Sequence, residues 1–75
     1  MKILIFEEML GHEKFLCELG TTENYPIPHK NDLISLGEGS NAMVYQVLAT
    51  LFDYAAYDYD SKHEINVFVK KWEDW

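Results

Sequence analysis

The chain has 75 residues, a formal net charge of −7 and no arginine, and 48% of its residues are apolar. That acidity, without the guanidinium forks that read phosphates and base edges, disfavours direct contact with nucleic acid or with anionic membrane surfaces. So short a chain buries only about 60–65% of its unfolded surface. Its lone Cys17 cannot form an internal disulfide. We therefore expect one small domain over 1–75, held by apolar packing and open to self-association as a homodimer.

Lys2–Leu10 opens with Ile3, Leu4, Ile5 and Phe6 in succession, the pattern of a strand covered on both faces. Gly11-His12 offers a turn. His12–Leu19 then alternates, with Glu13, Phe15, Cys17 and Leu19 on one side, so the two segments predict a first hairpin. Gly20–Asn31 is a loop, with Gly20 and the Pro26-Ile27-Pro28 run keeping its backbone extended. Asp32–Leu36 predicts a short strand, ended by the glycines of Gly37–Asn41.

The next segment, from Ala42 to Tyr54, fits two templates. Met43, Val44, Val47, Leu48, Leu51, Phe52 and Ala55 suit a helix that Ser40 or Asn41 could cap. Val44, Tyr45, Val47, Thr50, Phe52 and Tyr54 suit a strand. The strand is preferred, with Met43, Tyr45, Val47, Ala49 and Leu51 on one face. The alternative is an α+β chain with a helix at about 42–55. A polar, tyrosine-rich turn follows, and then Glu64–Lys70 alternates cleanly, with Ile65, Val67 and Val69 inward and Glu64, Asn66, Phe68 and Lys70 outward.

Tyr25-Pro26-Ile27-Pro28, Asp32–Leu36, Tyr45-Gln46-Val47, Phe52-Asp53-Tyr54 and Ile65–Val69 form a layout that resembles short bacterial and phage-type proteins with a small SH3-like β-barrel. The resemblance implies an all-β fold, a small partly open SH3-like barrel of about five antiparallel strands. It implies no site residues.

The chemistry-bearing residues read mostly as structure or surface. His12, His29 and His63 fall in separate turns or loops, and Cys17 shares its strand face with Phe15 and Leu19. Asp58-Tyr59-Asp60-Ser61 lacks the glycine and the terminal glutamate of a calcium loop. No zinc spacing and no transmembrane run is present, and the N-terminal apolar run reaches Glu7-Glu8 too soon for a signal peptide. We therefore expect a cytoplasmic protein that is not an enzyme and uses no metal or cofactor.

Aromatic residues beside acids are the remaining signal. Tyr54, Tyr57, Tyr59, Trp72 and Trp75, with Asp58 and Asp60, are the candidate residues for contact with a protein partner. The expected function is a small acidic protein-interaction module. The alternative is a nucleic-acid mimic, such as a phage-encoded inhibitor of a host defence. It would set Asp53, Asp58, Asp60, Glu64, Glu73 and Asp74 in the basic cleft of a nuclease or nucleic-acid-binding complex.

Overall fold

The structure is a computed structural model that describes residues 1–54 and 63–73. Five strands, β1 (Lys2–Met9), β2 (His12–Thr21), β3 (Leu33–Leu36), β4 (Met43–Asp53) and β5 (Glu64–Lys71), form one sheet in the order β2-β1-β5-β4-β3. The sheet curls into a half-barrel of the small, open SH3-like kind. Its one helical piece among the described residues is a 3₁₀ turn at Gly39–Asn41. No helix among the described residues is long and apolar enough to cross a membrane.

The expected strands are therefore all present, and the segment that also fitted a helix is β4. Tertiary pairing decides this: Tyr45 to Asp53 lie against β5, and Met43 to Gln46 lie against β3. One pairing departs from the antiparallel expectation. β1 runs parallel to β5, with Ile3 opposite Ile65 and Ile5 opposite Val67. The sheet is thus mixed, and β5 is its middle strand, buried between partners of opposite direction.

Alternation on β1 and β5 sends Ile3, Ile5, Ile65, Val67 and Val69 to the inner face, where all are fully buried together with Val47. Burying side chains of this size contributes about 1.5–3 kcal/mol each. The rest of the inner layer comes from Tyr45, also in the core, and from the partly buried Met1, Leu16, Cys17, Leu19, Ile27, Ile34 and Leu36.

Three register shifts shape the curl. On β2, Ile3 opposes Gly20 and Leu4 opposes Glu18, leaving Leu19 as an extra residue; Ile5 opposes Cys17 and Phe6 opposes Phe15, leaving Leu16 extra. Bulges of this kind sharpen the local twist and re-aim side chains. They let Leu16, Cys17 and Leu19 all pack inward while Phe15 joins the outer row, so the expected common face of Phe15, Cys17 and Leu19 is divided. The third shift lies at Leu48. Before it, Tyr45 and Val47 point inward; after it, Thr50 and Phe52 stand opposite Val67 and Ile65, while Ala49 and Leu51 stand opposite Phe68 and Asn66. Ala49 and Leu51 therefore lie on the outer face rather than with Tyr45.

The loop between β2 and β3 crosses the open side of the inner face. Pro28 is buried, and its carbonyl accepts a 2.6 Å hydrogen bond from the Thr50 hydroxyl. The chain is then tied to β4, with the Asn31 N–H donating to the Val47 carbonyl (2.8 Å) and the Val47 N–H donating to the Asp32 carbonyl (2.9 Å). Asn31 takes a left-handed φ of 76°, which asparagine tolerates better than most residues.

Candidate functional site: the outer face of the sheet

A strand sends alternate side chains to opposite faces, so the same alternation that fills the inner face builds the outer one. The register places Phe15, Phe6, Phe68 and Ala49 in one row across β2, β1, β5 and β4. The next row is Glu18, Leu4, Asn66 and Leu51, and beyond it stand Thr21, Lys2, Glu64 and Asp53.

The phenylalanines touch. Phe6 meets Phe15 edge-on at a ring-centroid distance of 5.6 Å and an interplanar angle of 63°, and stacks on Phe68 at 5.8 Å and 28°. Both arrangements are favoured by the ring quadrupole. Phe15, at one end of this row, is 54% exposed, and Leu51, at the β4 end of the next row, is 53% exposed, so apolar surface lies open at both sides of the face. The run Ile3–Phe6 carries apolar side chains to both faces of β1 for this reason.

Charge surrounds this surface. Glu8 and Glu13 oppose each other at one end of the β1–β2 hairpin, Glu18 stands beside Leu4, and Asp53 faces Glu64 across β4 and β5. Lys2 lies among the acids, 3.8 Å from a carboxylate oxygen of Glu18, and Lys70 stands on the same face two residues beyond Phe68. The Lys2 and Glu18 side chains are both well exposed, so their pairing contributes little.

Asn66 is out of character with its neighbours. It sits between Leu4 and Leu51, and its side-chain Oδ1 is buried with no hydrogen-bond partner among the described residues.

Of the residues expected from the sequence to meet a partner, Tyr54 and Trp72 are described, and they lie apart. Tyr54 is 61% exposed, with its ring beside Phe52 (6.4 Å) and His63 (5.7 Å), at the start of β5. Trp72 is partly buried at the other end, where its backbone N–H donates to the Val44 carbonyl. The length of β5 separates them, about 25 Å at 3.3 Å per residue. Tyr57, Asp58, Tyr59, Asp60 and Trp75 lie outside the described residues. Of the acids suited to mimicry, Asp53 and Glu64 are neighbours, Glu73 is at the far end of β5, and Asp58, Asp60 and Asp74 lie outside the described residues.

Elsewhere the surface is shallow. One cleft is lined by Glu7, Glu8, Lys70, Lys71, Trp72 and Glu73, and another by Pro26–Pro28 and Asp32–Ile34. His12 occupies the opposite end of β2 from the core, and the His29 backbone N–H donates to a carboxylate oxygen of Asp32 at 2.8 Å. Burial pushes the Cys17 thiol pKa above its ordinary 9.0, which lowers its thiolate fraction.

The outer aromatic row was only partly visible in the sequence. Phe68 was expected to point outward from β5, but Phe15 was expected beside Cys17. Only the cross-strand register brings Phe6, Phe15 and Phe68 together.

Fold and surface define a small all-β half-barrel with an apolar, acid-rimmed outer face. No family model, no curated protein and no solved structure matches the chain.

Proposed function

We propose that this protein is a small, non-enzymatic protein-interaction module and that the outer face of its sheet is the docking surface. The Phe6–Phe15–Phe68 row carries this reading. Three large rings meet on the side of the sheet away from the core, and aromatic side chains in such clusters supply most of the energy at protein interfaces.

The acids around the row favour a basic partner, a nucleic-acid-binding protein among them. They oppose face-to-face pairing of two copies, which would bring Glu8, Glu13, Glu18, Asp53 and Glu64 of each against the other's. The separation of Asp53 and Glu64 from Glu73 favours a compact docking patch over a phosphate-like line of charges.

Site-specific photocrosslinking tests the reading. A benzophenone amino acid at position 15, in cells making the protein, is expected to capture one discrete protein. The same probe at Glu23, exposed in the loop after β2, is expected to capture none. Leu51→Lys should abolish the crosslink from position 15 while leaving the circular dichroism spectrum unchanged. Equal labelling from both positions, or a crosslink indifferent to Leu51→Lys, would remove the outer face as the docking surface.

A further inference from the structure

Asn66 breaks the local rule of the strand it occupies. Asparagine is disfavoured within strands, and at this position valine or threonine would fill the same space between Leu4 and Leu51 without an unanswered acceptor. Its Oδ1 is buried and unpaired among the described residues. Burying an acceptor without a donor is unfavourable unless another molecule supplies the donor. Phe68 lies two residues along β5 on the same face, and Phe6 is in contact with Phe68. The acids Glu18, Asp53 and Glu64 border the spot and outnumber Lys2, which stands opposite Glu64 and 3.8 Å from Glu18. An acceptor, two aromatic faces and an anionic border together are the complement of one side chain.

We propose that Asn66 is the specificity residue of the docking face and that it receives an arginine of a protein partner. This rests on the reading of the outer face as a docking surface. The guanidinium stacks over the Phe6–Phe68 rings and donates to Asn66 Oδ1, while Glu18, Asp53 and Glu64 balance its charge. Arginine suits the place better than lysine, because its planar, weakly hydrated head stacks on aromatic rings and still has donors to spare. The terminal torsion of asparagine is soft, so the carboxamide can turn its oxygen to the incoming donor. This chain has no arginine. A second copy therefore cannot provide the group, and the partner is a different, basic protein.

The test uses the full chain, isotopically labelled, and two synthetic probes: a short peptide alternating leucine and arginine, and its leucine–lysine counterpart. NMR titration reads the Asn66 side-chain amide and the rings of Phe6, Phe15 and Phe68. The arginine peptide is expected to shift all of these signals and to bind about tenfold more tightly than the lysine peptide. Asn66→Val is expected to raise the melting temperature and to bring the two affinities within about threefold of each other. Asn66→Thr, which keeps a hydroxyl, provides the same comparison in a second background. Equal binding of both peptides at the three phenylalanines, unchanged by either variant, would overturn the arginine assignment and leave the docking face standing. A fall in melting temperature for both variants would make Asn66 a structural residue and end the proposal. Shifts confined to residues away from the outer face would overturn the proposal and the docking face together.

Discussion

The ring of Tyr25 lies directly over the backbone of Gly20. A Cβ built at position 20 would come within 2.6 Å of the ring's Cδ2, and Gly20 has a φ of 141°, which other residues rarely adopt. Glycine thus serves twice here: it permits the conformation, and it leaves room for the ring that closes the end of β2. Gly20→Ala should lower stability by about 1–3 kcal/mol. In a Tyr25→Ala background the same change should cost less, because only the backbone strain remains. Urea denaturation of the four proteins gives the coupling directly.

The loop over the inner face hangs on few bonds, and the one from Thr50 to the Pro28 carbonyl is the shortest of them. Thr50→Val keeps the shape and removes the donor. We expect a loss of about 1 kcal/mol. Hydrogen exchange should quicken at the Asn31 and Val47 amides, whose bonds tie the same loop to β4, and stay unchanged at the β1–β2 pairing.

Asp53 and Glu64 face each other directly across β4 and β5. Like charges in that position are unfavourable. Asp53→Lys should therefore stabilise the fold by about 0.2–1 kcal/mol. Thermal melts at low and high salt would check this, since the gain should shrink as added salt screens the pair.

Burial raises the Cys17 pKa above 9.0. For an acidic group whose folded pKa is the higher one, the unfolded chain ionises first. Stability should then be unaffected below about pH 8 and should fall as pH rises through 9 towards the folded value. In Cys17→Ala this alkaline slope should be reduced. Alkylation by iodoacetamide at pH 8 should be slower for the folded protein than for the protein in urea.

Much of the fold was legible in the sequence because the signal is local. Clean alternation marks β5, and the glycines mark the ends of β2 and β3. Even the helix-like spacing around Val44–Phe52 yields to the β-branched and aromatic content of that segment once β5 is there to pair with it. The bulges at Leu16, Leu19 and Leu48 were not legible. They answer to the curl of the sheet and to the partner strand, and no residue type at those positions announces them. This is why the candidate site was read only in halves. Asn66 and Phe68 could be sent outward by counting along β5, whereas Phe15 changes face at a bulge. The parallel pairing of β1 with β5 was likewise hidden, because it joins segments with the rest of the sheet between them in sequence.

That parallel pairing also governs when the molecule can exist during translation. Some 60 residues separate β1 from β5, so at ordinary elongation rates β5 follows β1 from the ribosome by about 3–12 s. During that interval a nascent β1–β2 hairpin has its apolar faces and both strand edges in solution, with Ile3 and Ile5 lacking the neighbours that bury them. The middle strand of the sheet is the last to be synthesised. Until it arrives, the hairpin cannot complete the core that buries Ile3 and Ile5 in the finished sheet.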